Sequence, residues 1–442
     1  MRRWRTSAAI AVASAFGVFC DAVASRVELT WLTVPQRDRA HSAGVVRAAS
    51  VSGDGRYVAF TSYAPLSAAD TDSLADIYVL DRTTATVTLE SRLVDGRPLA
   101  SDCGHPSISA DGRYLVFDAI LPEASRNVID VVLRDRVENT SRRITLGQRG
   151  ELSNGWSGQA MVAAGASAVV FTSSATNLTP DVDVNGVLPD IYRFDRASAV
   201  IERISLDSRG VQHPGGSLMP SVSGDGRYVA FSSAAPLAGP RNNGSQQQTT
   251  AGRRAAIYLR DTRARLTTLV SGPAEPPNDV STMPAISADG RSIAFTSRAS
   301  NLVARDRNKS SDVFLYDSDT GLVTLVSRTS GGSAASGASL SPAISADGRL
   351  VAFLSDASDM ACARDCMPDM DDINLLPDVF VFNRVTGAIS RVSSGRNSGW
   401  MEESGAPAID ASGAIVAFSS RHPISVQDVS NDFDLFVRVM SR

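Results

Sequence analysis

Apolar residues in this chain fall in short unbroken runs rather than alternating with polar ones. Tyr57-Val-Ala-Phe60, Ile77-Tyr-Val-Leu80, Val313-Phe-Leu-Tyr316 and Val379-Phe-Val-Phe382 are examples. A strand with one wet face alternates, whereas a strand buried on both faces reads as a continuous apolar run. Between the runs stand Asp-Gly turns, which tolerate the positive φ of a tight hairpin. In the first such unit, Ala49 to Ser52 reads as a strand and Gly53-Asp54-Gly55-Arg56 as its turn. Tyr57 to Thr61 is the return strand, followed by a polar loop to Ala75. Asp76 to Leu80 and Val87 to Ser91 form a second hairpin around Asp81-Arg-Thr-Thr84.

The unit repeats. S-x-D-G-R stands at Ser52 to Arg56, Ser109 to Arg113, Ser223 to Arg227, Ser287 to Arg291 and Ser345 to Arg349. Degenerate copies lie around Gly165-Ala166 and Ser412-Gly413. A phenylalanine follows each copy (Phe60, Phe117, Phe171, Phe231, Phe295, Phe353 and Phe418), at intervals of 54 to 65 residues. Strand-rich repeats of this length predict radially arranged small sheets. The fold expected is all-β: a seven-bladed β-propeller of four-stranded antiparallel blades, each stabilised largely by its neighbours. The seventh unit ends at Asp434 to Val439, its third strand. Val27 to Val34, which resembles the fourth strands Val87 to Ser91 and Val323 to Ser327, has no partner near the first repeat. A closing strand over about 27–34 is therefore expected in the last blade, removing an open edge.

The repeats, from about residue 45 to 442, leave room for one domain, a propeller over residues 25–442. The net charge is −4, Lys309 is the only lysine, and no basic stripe interleaves with aromatics, which argues against nucleic acid. Residues 1–24 read as a secretory signal peptide: three arginines in Met1 to Arg5, an apolar run from Ser7 to Phe19, and Ala22-Val23-Ala24 as the cleavage site. That run is short for a membrane span. The mature chain, with charge −6, is then periplasmic or secreted and has no transmembrane segment. Cys20 supplies a lipoprotein alternative, for which Phe19 is a poor preceding residue, and Arg2-Arg3 a weak twin-arginine signal. In an oxidising compartment Cys362 and Cys366 are expected to form a disulfide, since zinc needs four ligands and no histidine is near. Cys103 is left as the odd thiol.

The pattern P-x-[IV]-S-x-D-G-R, an apolar strand ending in Phe, then D-[IV]-[YF]-x-x-D, resembles the TolB-type, WD-repeat-like propeller repeat. Pro106, Pro220, Pro284, Pro342 and Pro407 supply the leading proline, and Asp76, Asp130, Asp190, Asp312, Asp378 and Asp434 open the third strand. The resemblance spans essentially the whole mature chain. TolB pairs a six-bladed propeller with an N-terminal α/β domain, whereas this chain shows seven repeats and no such domain, so the Tol–Pal role does not carry over. What the resemblance implies is an exported propeller from a family whose members mostly bind other molecules; fold alone does not name the function.

An acidic pattern precedes the third strand. Asp70 and Asp72 lead to Asp76, Asp183 and Asn185 to Asp190, Asp306 and Asn308 to Asp312, and Asp372 and Asn374 to Asp378; Asp428 and Asn431 precede Asp434 more loosely. Alternating oxygen ligands of this kind suit calcium, which takes 6–8 oxygens. The competing reading is that these side chains cap turns. Ala256 in blade 4 would bind nothing. The aspartates of the D-G-R turns, and those at Asp81, Asp135, Asp195, Asp261 and Asp317, read as turn residues.

Gly155-Trp-Ser157-Gly lacks the geometry of a nucleophile elbow, and His41, His105, His213 and His422 show no metal spacing. The loops joining strands two and three, and those joining blades, emerge on one face. That face carries Trp156, Trp400, Met401, Glu402, Glu403 and the insert 239–254. Tryptophan in Gly/Ser-rich loops favours contact with protein or sugar. The function expected is a non-catalytic binding or scaffold propeller that recognises protein or cell-envelope glycan. The alternative is a glycan lyase or hydrolase, or a peptidase-like enzyme, using channel carboxylates.

Overall fold

The computed structural model of the chain describes residues 29–31, 47–122, 128–238, 254–360, 376–393, 405–420 and 434–440. Among them the regular elements are strands, arranged in seven four-stranded antiparallel sheets. The protein is a seven-bladed β-propeller. Blade 1 consists of Arg47–Val51, Tyr57–Ser62, Asp76–Asp81 and Thr86–Leu89, in that order from the axis outward. Blade 7 contains Ala408–Ile409, Ile415–Ser420 and Asp434–Val439, and its outermost strand is Leu29–Trp31. Leu29 pairs with Arg438, Thr30 with Val437 and Trp31 with Phe436, so the amino-terminal strand closes the ring as expected.

The core lies between blades. One cluster joins Val58, Phe60, Tyr78 and Leu80 of blade 1 to Ile415, Ala417, Leu435 and Val437 of blade 7. Another joins Val116, Val131 and Leu133 of blade 2 to Phe171, Tyr192 and Phe194 of blade 3. Both faces of the middle strands are thus buried, which accounts for the unbroken apolar runs. The repeated phenylalanine lies across from an aromatic residue of the third strand in six blades. Phe60 pairs with Tyr78 at 6.0 Å between centroids, Phe295 with Phe314 at 5.7 Å, and Phe418 with Phe436 at 6.0 Å. In blade 2 its cross-strand partner is Val132.

The S-x-D-G-R turns form a second ring. The Ser52 hydroxyl donates to Asp54 Oδ1 (2.6 Å) and accepts the Tyr57 amide (2.9 Å), while Gly55 takes the φ of +71° that the turn requires. Arg56 reaches across to Asp81 (2.7 Å), as Arg113 does to Asp135 (2.7 Å) and Arg227 to Asp261 (2.5 Å). The variable residue of the motif meets the next blade. The Gly53 amide donates to the Ala110 carbonyl, Ala110 to Ala164, Gly165 to Gly224, and Gly224 to Ala288. Ala288 donates to Ala346, Ala346 to Ala411, and Ala411 back to Gly53, at 2.9–3.2 Å throughout. These seven backbone hydrogen bonds circle the axis at the turn face. Only small residues fit there: a Cβ on Gly53 would lie 2.8 Å from Ala110 Cβ.

Candidate functional site

The opposite face carries the inter-blade connections and the loops between second and third strands. Each of its acidic positions is built on one local device. The aspartate opening the third strand is buried, and a Ser or Thr just beyond the fourth strand binds it. Ser91 donates to Asp76 Oδ1, Thr145 to Asp130 (2.6 Å), Ser205 to Asp190 (2.6 Å), Ser327 to Asp312 (2.7 Å) and Ser393 to Asp378 (2.5 Å). The same hydroxyls accept the amide of the following residue, such as Ile77 (3.1 Å) and Val313 (3.0 Å). One carboxylate oxygen is therefore satisfied within the blade.

The second oxygen divides the blades. In blade 2 it faces Arg143 Nε at 3.0 Å, and in blade 6 Arg391 Nη2 at 2.5 Å. In blade 3, Asp190 Oδ2 accepts from Gln212 Nε2 (2.7 Å), with Arg203 Nε at 3.6 Å; Arg203 Nη2 also lies 3.6 Å from Asp183. Blades 1 and 5 have leucines, Leu89 and Leu325, where these arginines stand, two residues before the Ser or Thr. There Asp76 Oδ2 and Asp312 Oδ2 are buried with no hydrogen-bond partner. Blade 4 has Leu269 and also replaces the aspartate by Ala256, so no charge needs compensation.

The expected ligand groups consequently differ. In blade 1, oxygens of Asp70, Asp72 and Asp76 all lie within 4.8 Å of one another. Asp70 is buried and accepts the Tyr78 hydroxyl; its other oxygen takes the Asp72 amide (3.3 Å), and Asp72 caps the Leu74 amide (2.9 Å). Burial, reinforced by the charges of Asp70 and Asp72, pushes Asp76 up to about 6 against the opposing Ser91 hydrogen bond. Arg92 opposes it weakly; its guanidinium is engaged on the carbonyls of Leu89 and Gly96, both 2.9 Å. In blade 5, Asp306 is buried with Oδ2 unpartnered, and burial raises its carboxyl. Asn308 spans Ser310 and Ala335, and burial, with the charge of Asp306, pushes Asp312 up to about 7 against the opposing Ser327 and Asn308 side chains. A cavity of about 420 Å³ opens beside Asn308. In blade 3, Asp183 takes the amides of Asn185 and Gly186 (both 3.2 Å) and Gln212 Nε2 (3.0 Å), as in a capped turn. Arg203 and Gln212 stand beside both carboxylates. Burial still pushes Asp190 up to about 6, with Arg203 working against it. Asp372 and Asn374, the partners expected for Asp378, lie outside the described residues, as do Trp400, Glu402, Glu403, Cys362, Cys366 and residues 1–24.

Trp156 is half-buried beside the axis, its ring within 3.1 Å of where a Cβ on Gly158 would sit. That position also meets Asp118, the feature which sequence reasoning missed. Asp118 Oδ2 accepts the Gln159 amide (3.0 Å) and lies 2.8 Å from His105 Nδ1, which raises the imidazole's affinity for a proton. Asp118 Oδ1 has no partner. His105 belongs to a set of non-glycine residues at positive φ, with Gln159, Met219, Met283 and Ser341 (φ 49° to 57°), each at a bulge of an innermost strand. Such strain is stored where surrounding structure over-determines it. Gln159 Oε1 accepts the Met219 amide (3.2 Å), linking blades 3 and 4 at the channel wall.

The chain is thus an all-β propeller of seven blades, with buried carboxylates at one face. No protein-family model matches the chain, and no curated protein matches it. Solved structures do match. An oligogalacturonate lyase from Vibrio parahaemolyticus is 14% identical with a TM-score of 0.53, over 95% of each chain. The β-propeller domain of the Trilobed protease from Pyrococcus furiosus is 13% identical with a TM-score of 0.52, over 90% of this chain and 94% of that one. TolB from Acinetobacter baumannii is 15% identical with a TM-score of 0.40, over 83% of this chain and 76% of that one. At these identities the likeness establishes a propeller fold, and chemistry is not transferred with it.

Proposed function

We propose that the chain is an exported, non-catalytic binding propeller that recognises a protein partner of the cell envelope through its loop face. One observation carries this reading. In the loop between the second and third strands of blade 3, Val182, Val184, Val187 and Leu188 are exposed by 81%, 57%, 82% and 44%. They are presented by a braced loop, not a loose one. The Val184 amide donates to Gln212 Oε1 (2.9 Å), which also takes Arg203 Nη1 (2.6 Å). Four exposed apolar side chains within seven residues of one loop, on a polar, preorganised base, favour protein association. These side chains offer sugar hydroxyls no hydrogen bonds, and Trp156 is only partly exposed, so glycan is the second ligand class on this face. Export rests on the arginine-rich and apolar residues 1–24.

A photo-cross-linking residue at Val187 tests the reading against the same residue at Leu322, which is 65% exposed at the opposite, turn face. In intact envelopes Val187 should give a discrete adduct that Val182→Asp with Val184→Asp abolishes, and Leu322 none. Absence of an adduct at Val187, or equal adducts from both faces, would overturn it. The enzyme reading draws on the His105–Asp118 pair at the channel. Turnover of oligogalacturonate or a peptide panel that is lost in His105→Gln would establish that reading instead.

A further inference from the structure

We propose that blades 1 and 5 each bind a calcium ion in the loop before the third strand, in the place where blades 2, 3 and 6 hold an arginine guanidinium. The repeat provides its own comparison. Where Arg143, Arg203 or Arg391 is present, the second oxygen of the strand-opening aspartate has a cation beside it. Where the aspartate is absent, at Ala256, so is the arginine. In blades 1 and 5 the aspartate remains, and among the described residues its second oxygen has no hydrogen-bond partner and no arginine in ion-pair contact.

Two observations make these pockets more than acidic clusters. Asp76 is 1% exposed and Asp312 fully buried, and each keeps one oxygen without any hydrogen-bond partner. In blade 5 the buried Asp306 has a second such oxygen. Leaving a carboxylate oxygen buried and unpaired is costly, and buried charges are normally paired or coordinate metals. In blade 1 Asp76, the residue with the unpartnered oxygen, offers an oxygen within 4.8 Å of oxygens of Asp70 and Asp72.

Donor type and coordination habit select the ion. The donors are all oxygen, which excludes soft-metal preferences. Calcium accepts irregular sets of 6–8 oxygens at about 2.3–2.6 Å, whereas magnesium demands a near-ideal octahedron and gives up its waters reluctantly, so carboxylates and an amide already fixed by the fold suit the larger ion. Both sites are only partly made of protein oxygens, so water completes the shell.

The test is calcium binding to the purified mature chain after chelation, by equilibrium dialysis and by calorimetric titration. Stoichiometry should fall by one ion per chain in Asp76→Asn, by one in Asp312→Asn, and by two in the double variant. Tenfold excess magnesium should leave it unchanged. Leu89→Arg should also remove one ion by installing the sibling blades' guanidinium, while the chain keeps its far-ultraviolet spectrum and cooperative unfolding. Wild-type protein that retains no calcium at millimolar concentration overturns the proposal without any variant. So does binding that survives in Asp76→Asn with Asp312→Asn, or displacement by magnesium. These outcomes do not bear on the blade 3 docking loop.

Discussion

Replacing Arg203 by leucine gives blade 3 the residue that blades 1, 4 and 5 carry at this position. Arg203 is 7% exposed, and its guanidinium lies over the Tyr192 ring at 5.7 Å. It loses a 2.6 Å hydrogen bond to Gln212 and the neighbouring charges of Asp183 and Asp190, both at 3.6 Å. What remains is a pair of buried carboxylates sharing one glutamine amide. Removing one partner of a buried ion pair costs about 3–5 kcal/mol, because the other charge stays in low dielectric. With an unfolding entropy of about 2.1 cal/mol/K per residue, a chain of this size should lose about 3–5 °C in Tm. Urea unfolding and calorimetry in the presence of chelator give both figures. The second half of the cycle is written in blade 4, where Ala256 and Leu269 stand together. Asp190→Ala added to Arg203→Leu should recover at least half of the loss, a coupling of about 2 kcal/mol. A loss below about 1 kcal/mol for Arg203→Leu, or a second substitution that adds to the damage, would refute the charge-compensation argument for all the blades.

Other expectations are shorter. In chelator, folded-state carboxyl groups at about 6 (Asp76) and about 7 (Asp312) lie above the 3.8 of an ordinary aspartate. The folded chain then holds protons that the unfolded chain releases, so stability should fall as pH rises from about 4 to 7 and level off above. His105, raised by Asp118, acts in the same direction, so the urea midpoint is best followed in His105→Gln; a flat profile there would count against the buried carboxyls. Gly53→Val should cost about 1–3 kcal/mol by overpacking against Ala110 at the axis, read as a lower urea midpoint with unchanged slope. Cys103 is 3% exposed, and burial pushes its thiol up, so it should resist thiol reagents until the chain unfolds. If Cys362 and Cys366 are bridged, denatured non-reduced mature protein should show one reactive thiol; three would remove the disulfide.

The fold was legible because each blade repeats the same requirements. The turn Ser52-Gly-Asp-Gly-Arg56 and the phenylalanine at Phe60 recur at a fixed offset, the aspartate at Asp76 recurs at the head of the third strand after a loop of variable length, and each is used by local contacts that a repeat displays directly. Even the closing strand could be placed, since a blade with three strands and an orphan fourth have one economical solution. The axial ring was only half visible. The motif's variable position is always Gly or Ala (Gly53, Ala110, Gly224, Ala288, Ala346 and Ala411), a restriction readable in hindsight, but its reason lies in a contact between blades.

Functional chemistry depends on what the blades do not share. The aspartates before and at the third strand look alike in sequence, whether or not a cation faces them. What separates them is a residue on another strand, arginine at Arg143, Arg203 and Arg391 or leucine at Leu89, Leu269 and Leu325. Counting acids along the loop therefore treats the arginine-neutralised Asp183–Asp190 pocket and the uncompensated Asp70–Asp76 pocket as equals. Pairing each acid with the fourth-strand residue that lies opposite the second residue after it tells them apart. The His105–Asp118 pair shows the same limit from the other side. Its two members lie 13 residues apart and meet because a bulge rotates His105 into positive φ over the neighbouring strand. No spacing rule for metals or nucleophiles describes that geometry. In a repeat protein, the departures from the consensus are where a site should be sought, and each departure acquires meaning only beside the strand that packs on it.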